Sequence, residues 1–289
     1  MEDQKPIILW SHPRSLSTVF ERPFLQLPQE FHVIHEPFVP IVYANEHKNF
    51  EFLNRISLLK STDPITYVHH LSPILNEILA PHYYNEDKTH TLRVFVKEHA
   101  KHFLQVAEGS PLLSKEILSM FKHTFLIRNP EKSVKSFYKA MNATNEAFDK
   151  AGVPMSGKIE ISSRTFGIKQ LRILYDLIKN ASGEEIALVD ADDLVQDPEK
   201  ILKKYCEMIN VEFKKEMLNW KSVKVEPTLA TLFNVPGLDD VWFTNAMQST
   251  GFDKTINNDE EIEYPQSVND LIDEHKPYYE YLFQYRIKI

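Results

Sequence analysis

Short apolar runs alternate along the chain with longer stretches in which apolar residues recur at helical spacing. Residues 6–10 (P-I-I-L-W), 31–35 (F-H-V-I-H), 91–97 (T-L-R-V-F-V-K), 123–127 (H-T-F-L-I) and 185–190 (E-I-A-L-V-D) read as buried strands. Between them, helical periods cover 17–27, 49–60, 71–80, 130–147 and 161–181. Pro23 should kink or shorten the first of these. Gly183 reads as a helix stop. Asp197-Pro198-Glu199 opens a further helix to about residue 209, with aspartate as N-cap and proline in the first turn. Strands that alternate with helices predict an α/β fold with a central, mostly parallel sheet and helices on both faces. In such sheets ligands bind beyond the carboxyl ends of the strands. Residues 142–160 read as a polar surface excursion or lid, and 221–265 give no clear pattern.

Composition narrows the class. The 289 residues suit one large domain or two small ones, and neither a linker nor a repeat divides them. Hydrophobic residues make up 43% and charged residues 26%, enough for a sizeable core. Lys+Arg 33 against Asp+Glu 41 gives a net charge of −8, a poor balance for non-specific binding to nucleic acid or an anionic membrane. An anionic ligand must then be held by a local cluster of cations. Only seven glycines occur and no G-x-G, so the dinucleotide fingerprint is absent. The single Cys206 excludes an intrachain disulfide and a multi-cysteine zinc site, and fits a reducing compartment. The short acidic start is not a signal peptide, and no stretch approaches 18 apolar residues, so a cytoplasmic location is expected. The sequons at Asn142 and Asn180 carry little weight in that setting.

Two segments pair a strand with phosphate chemistry. Strand 6–10 runs into S-H-P-R-S-L-S-T at 11–18, a polar turn leading to a helix. Backbone N–H groups at such a helix start attract an anion, and Arg14, Ser15, Ser17 and Thr18 add a cation and three hydroxyls. Serine and threonine are also ordinary N-caps, and a loop arginine is commonly solvated. Strand 123–127 runs into I-R-N-P-E-K-S-V-K-S-F-Y at 127–138, with Arg128 at its exit and Ser136 two helical turns later. Arginine grips phosphate through forked donors, whereas the plainer reading pairs it with a carboxylate.

P-R-S-L-S-T at 13–18 resembles the 5′-phosphosulfate loop of the sulfotransferases. R-N-P at 128–130 with Ser136 resembles their 3′-phosphate motif. Residues 188–213 resemble their later strand–loop–helix element, with the D-L…D-P spacing kept. The three segments come in family order over roughly residues 6–213 and look most like a small-molecule branch from microbes and fungi. The resemblance implies a P-loop-like three-layer fold over a single domain of 289 residues. It implies 3′-phosphoadenosine 5′-phosphosulfate (PAPS) as donor, PAP as product, and sulfuryl transfer to a hydroxyl or amine of a small molecule. Arg14, Ser15, Leu16, Ser17 and Thr18 would hold the 5′-phosphosulfate, and Arg128 and Ser136 the 3′-phosphate. Leu16 replaces the usual loop glycine, so the turn is expected to avoid φ > 0 there. Ala191 stands where many members have tyrosine, and no R-K-G segment follows near the C-terminus, where Lys254 is a weak stand-in.

The base has two candidates. Lys97-x-His99 resembles the family's K-x-H, in which the histidine is base and the lysine steadies leaving-group charge. Glu36 in V-I-H-E-P-F, at the exit of the second strand, resembles the carboxylate base of other branches. No metal is expected. His99-x-x-His102 and the adjacent His69 and His70 lack zinc-ligand company, and G-V-P-M-S-G-K at 152–158 lacks both a preceding strand and the Ser/Thr of a phosphate loop. Asp190, Asp192 and Asp193 read as a solvated strand end, and Trp242-Phe243 as a core pair. Phe38, Tyr43, Phe103 and Phe148 are possible pocket aromatics. A kinase-like phosphoryl transferase and a non-catalytic adenosine-bisphosphate binder are the rival readings. The acceptor, and whether the chain is monomer or homodimer, stay open.

Overall fold

The computed structural model describes residues 5–39, 42, 75, 78–79, 83–107, 114–150, 161–223, 238–252 and 263–289. Five strands form one sheet in the order β2-β3-β1-β4-β5, every pair parallel. They are β1 (Ile7–Ser11), β2 (Phe31–His35), β3 (Arg93–His99), β4 (Lys122–Ile127) and β5 (Ala187–Asp190). Side chains alternate along each strand, and both sets are mainly apolar, with polar residues such as His32, His123 and Thr124 among them. Ile8, Trp10, Val94, Val96, Phe125, Ile127 and Leu188 enter one core. Ile7, Leu9, Phe95, Leu126, Ala187 and Val189 enter the other. A strand covered on both faces has no reason to alternate apolar with polar, which is why these segments read as continuous hydrophobic runs.

Ten α-helices have described bounds, beside one short 3-10 turn at Lys215–Leu218. They are α1 (Ser17–Leu25), α2 (Ala100–Ala107), α3 (Lys115–Leu118), α4 (Pro130–Lys150), α5 (Ser163–Phe166), α6 (Ile168–Ser182), α7 (Ala191–Gln196), α8 (Pro198–Met208), α9 (Leu238–Gln248) and α10 (Gln266–Phe283). Helix α6 packs on the first face through Leu171, Leu174, Tyr175 and Ile178, at helical spacing. Helices α1 and α8 cover the second face through Phe20 and Phe24, and through Ile201, Leu202, Tyr205 and Cys206. Phe24 stacks on Phe95 with centroids 3.8 Å apart. Cys206 is buried in this core and its thiol is pushed up to about 12 by burial. No described helix is long and apolar enough to cross a membrane.

The expected caps form. Asp197 accepts the Lys200 N–H at 3.2 Å with Pro198 at the helix start, and Gly183 ends α6 in the left-handed region at φ 65. Other expectations change. The helix expected over 161–181 is two helices, because Gly167 at φ 89 breaks the path between α5 and α6. The third strand lies two residues further along than its β-propensity placed it, since pairing with β1 and β2 fixes its register. Residues 142–150 of the expected excursion are helical, as the end of α4. Pro23 stays inside α1, which ends at Leu25 rather than 27. Residues 49–60, 151–160, Tyr43, Lys254 and most of 71–80 lie outside the described residues, as does the Phe148 side chain.

Chain order places β1 in the middle. From β1 the chain goes to β2 and β3 on one side, then returns to β4 and β5 on the other. The reversal leaves a crevice beyond the carboxyl end of β1, where open parallel sheets bind ligands. Both phosphate-like segments and both candidate bases leave the strands at that end.

Candidate functional site

The segment after β1 turns sharply. Arg14 (φ 61) and Leu16 (φ 68) both lie in the left-handed region. The expectation that Leu16 would avoid positive φ is therefore overturned. The turn is held by neighbours rather than by a glycine: the Ser15 N–H bonds to the His12 carbonyl at 3.3 Å, and the Phe20 N–H to the Leu16 carbonyl at 2.9 Å. Leu16 is the N-cap of α1, with no side-chain cap and no acidic residue in the first turn. The helix start thus presents uncapped N–H groups and the positive end of its dipole to the crevice. Ser15 Oγ lies beside it, buried and without a hydrogen-bond partner. Ser17 is buried at the first helical position, and Thr18 follows half-buried.

Two arginines border this helix start. Arg14 Nε donates to Ser136 Oγ at 2.9 Å, and its Nη1 to the Trp242 carbonyl at 3.1 Å, with the indole 5.8 Å away. Trp242 is thus more than half of a core pair. Arg128 Nη1 donates to the Arg14 carbonyl at 2.9 Å, while its Nε is buried and unpartnered. Among the described residues neither guanidinium has a carboxylate within ion-pair distance. Burial, and then the Arg128 charge, bring Arg14 down to about 10; burial also lowers Arg128. Two partly desolvated cations, an uncapped helix and an orphaned hydroxyl make a local anion site in a chain of net charge −8.

The second cluster sits at the ends of β2 and β3. Glu36 follows β2 at φ 43, and its N–H donates to the Lys97 carbonyl at 2.8 Å. Lys97 Nζ bonds directly to Glu36 Oε1, and both side chains are buried. His99 Nε2 lies 3.1 Å from the same oxygen and 3.5 Å from Lys97 Nζ. On its other side, His99 Nδ1 meets Ser11 Oγ at 2.9 Å, and that hydroxyl also contacts the Glu98 carbonyl at 3.1 Å. Ser11 can donate either to that carbonyl or to Nδ1, so this contact fits both tautomers of the neutral ring. On the other edge the Glu36 carboxylate only accepts, so its hydrogen bond with His99 places a hydrogen on Nε2. Burial, then the Lys97 ammonium, lower its proton affinity to about 3, against the opposite pull of Glu36. Burial alone would raise Glu36, but Lys97, His99 and His35 together hold it well below the usual carboxylate range. At neutral pH Glu36 is therefore a carboxylate and His99 a neutral imidazole.

Glu98, on the opposite face of β3, ties the two strand ends together. It accepts the Phe38 N–H at 2.8 Å, the His99 N–H at 2.7 Å and His102 Nδ1 at 3.1 Å. Burial and the Glu36 charge push it up to about 8, against those backbone donors. Glu36, Glu98 and His102 bring ligand-capable atoms within 4.8 Å of one another, but the Glu36 and Glu98 oxygens already engage Lys97 and N–H donors. Phe38 and Phe103 are core residues beside this cluster, 5.5 Å apart by centroid.

All ten residues expected from the sequence lie at one end of the sheet, in one group of arginines and hydroxyls around the start of α1 and another of ionisable side chains at the ends of β2 and β3, with Ser11 touching His99 between them. Ser11, His12, Glu98 and the Trp242 carbonyl were missed. His12 was legible only as a neighbour of the loop; it is fully buried, receives the Arg128 N–H at 3.2 Å, and is held well below the usual imidazole range by burial. Asp190 is a correction. It is buried rather than solvated, caps α7 through the N–H groups of Asp192 and Asp193, and accepts the Tyr279 hydroxyl at 2.9 Å.

No protein-family model matches the chain. Branched-chain-amino-acid aminotransferase-like protein 1 of Arabidopsis thaliana is 27% identical over 293 residues, covering 98% of this chain and 42% of that protein. The like-named protein 2 is 27% identical over 282 residues, covering 94% of this chain and 40% of that protein. The chain spans about two fifths of the length of these relatives. Among solved structures, the sulfotransferase domain from the curacin biosynthetic pathway aligns with a TM-score of 0.49 at 15% identity, covering 93% of this chain and 96% of that domain. The sulfotransferase domain of the Synechococcus PCC 7002 olefin synthase gives 0.44 at 17% identity, with 93% of each chain covered.

Proposed function

We propose that the chain is a sulfotransferase that moves a sulfuryl group from PAPS to a hydroxyl or amine of a small molecule. The observation that carries this reading is the uncapped start of α1, bordered by Arg14, Arg128 and Ser136 and by the unpartnered Ser15 Oγ and Arg128 Nε. The donor set is cationic and hydroxylic, and among the described residues no carboxylate lies within ion-pair distance of Arg14 or Arg128, which favours a sulfated nucleotide over a metal-bound triphosphate.

In this reading the α1 N–H groups, Ser15, Ser17 and Thr18 bind the 5′-phosphosulfate, with Leu16 shaping the turn. Arg128 and Ser136 bind the 3′-phosphate. The Arg14–Ser136 hydrogen bond couples the two subsites, so filling one preorganises the other. PAPS supplies an activated sulfuryl group whose transfer spreads negative charge over equatorial and leaving oxygens. Arg14, Lys97 and the helix start stabilise that charge. Glu36 or His99 takes the acceptor's proton; both are in their basic forms at neutral pH.

Titration calorimetry tests the reading without an acceptor. PAP should bind in the absence of Mg²⁺, with ATP–Mg²⁺ binding far more weakly. Arg128→Ala should weaken PAP at least tenfold, whereas His99→Ala and Glu36→Ala should bind it normally and, once a screen of small alcohols, phenols and amines has found an acceptor, lose about 10²-fold or more in kcat. Absence of PAP binding overturns the proposal. A pyridoxal phosphate Schiff base on Lys97, seen as a new absorbance band, would replace it with the amino-group transfer named in the Arabidopsis relatives.

A further inference from the structure

Behind Glu36 lies a buried pair that neither candidate-base motif includes. Glu21 sits on α1, and His35 is the last residue of β2, in register with Lys97. Both side chains are 2% exposed. His35 Nδ1 lies 2.9 Å from Glu21 Oε1 and 2.8 Å from Oε2. A carboxylate only accepts, so Nδ1 carries the hydrogen, and the lone pair of the neutral ring is on Nε2. That nitrogen is buried, has no hydrogen-bond partner, and lies 3.6 Å from Glu36 Oε1, one small side-chain adjustment from bonding it. The edge of the Phe243 ring, 5.6 Å away by centroid, closes the flank.

We propose that Glu21 and His35 form a proton relay behind Glu36. This rests on the sulfotransferase reading for its chemistry, though not for its geometry. The groups facing the ring are Glu21 from α1, Glu36 from the turn after β2, and, through Glu36, Lys97 and His99 from β3. A proton accepted by Glu36 is poorly held there, because Lys97 and the two imidazoles favour the ionised carboxylate. His99 is no better a store, since burial and Lys97 keep it neutral. An imidazole with a carboxylate on each side is the place in the cluster where positive charge is best compensated.

The step balances as follows. The acceptor oxygen forms its bond to sulfur as the bond between sulfur and the bridging phosphate oxygen breaks, and that electron pair leaves with the nucleotide. The acceptor proton passes to Glu36 and on to His35 Nε2, giving an imidazolium held between Glu21 and Glu36. Glu21 is thus a positioning residue that fixes the tautomer and stabilises the charged ring, as a carboxylate does behind any catalytic imidazole.

Imidazole nitrogen NMR on the ¹⁵N-labelled chain tests the arrangement without turnover. His35 should show the Nδ1–H tautomer with an unprotonated Nε2, and that pattern should be lost in Glu21→Ala, which removes the acceptor for Nδ1–H. If Glu21→Ala does not fold, the tautomer of the wild-type ring reads the pair by itself. A His35 signal with the Nε2–H tautomer in the wild type, or an unchanged tautomer in folded Glu21→Ala, overturns the relay whether or not the chain transfers sulfuryl. With an acceptor in hand, Glu21→Gln should lower kcat about tenfold, leave the donor KM within twofold, and shift the acid limb of the pH profile. An unchanged kcat and profile also overturn it, while PAP calorimetry reports separately on the donor site.

Discussion

Three non-glycine residues of the site, Arg14, Leu16 and Glu36, have φ between 43 and 68. An L-residue in this region loses roughly 1–2 kcal/mol to the clash of its Cβ with the carbonyl that follows. The neighbours that enforce it are on hand: the Ser15 and Phe20 N–H bonds around Leu16, and the Glu36 N–H bond to Lys97 with Glu98 clasping Phe38. Leu16 offers a clean test, because its side chain also packs against the second core. If conformation dominates, Leu16→Ile should destabilise by about 1–2 kcal/mol although it keeps the apolar volume, since β-branching worsens the clash. Leu16→Gly should stay within about 1 kcal/mol of wild type, as relief of strain offsets lost packing. Denaturant unfolding of the two variants decides it; Gly falling well below Ile would mean that packing dominates. Leu16 was legible in the sequence as a loop residue but its conformation was not, because a turn without glycine still reaches positive φ where neighbouring hydrogen bonds enforce it. Lys97 and His99 were legible from two-residue spacing on a strand, which puts both on one face. Glu98, between them, was invisible for the same reason: it points the other way and acts through backbone donors that no spacing reveals.

At the scale of elements, strand positions were the most legible feature, since burial on both faces leaves mainly apolar residues between polar exits. Helix ends were legible where a side chain makes the cap, as at Asp197, and not where tertiary contacts set the path, as at Gly167. There an added Cβ would press on the Lys101 side chain at 3.2 Å. The turn from β5 into α7 belongs to the second kind. Asp190 was placed in solvent by its acidic neighbours, yet it is buried beneath Tyr279 and raised from 3.8 to about 6, chiefly by burial. A carboxyl with a raised folded value binds its proton more tightly in the folded chain. Its contribution is therefore fully present below about pH 4 and is lost as pH rises through about 6. Asp190→Asn keeps an oxygen for the α7 cap and removes the titration. The stability of the variant relative to wild type should rise by about 2–3 kcal/mol between pH 4 and pH 7. Denaturant melts at the two pH values measure it, and a gap that does not change with pH would show that Asp190 is not desolvated as described.

For the whole molecule, the decisive feature is the reversal of strand order at β1. It gathers residues from positions 14 to 136 at one end of a single sheet, and that convergence is not a property of any one segment. The alternation of strands and helices implied a parallel sheet, and the family-like motifs implied which end to watch. The order of the strands, and hence the adjacency of Ser11 to His99, came only with the fold. The same architecture has a practical side. Cys206 lies at the centre of the layer formed by α1, α8 and the sheet, with Sγ 3.9 Å from Met217 Sδ and a thiol that scarcely ionises. Because it is the one thiol in the sequence, the folded protein carries a single covalent stopwatch. An aromatic disulfide reagent should leave it untouched until that layer opens, then label it at the rate of opening. Labelling that slows in step with added PAP would turn one buried sulfur into a meter of ligand affinity, while fast labelling at neutral pH would mean that this layer breathes on its own.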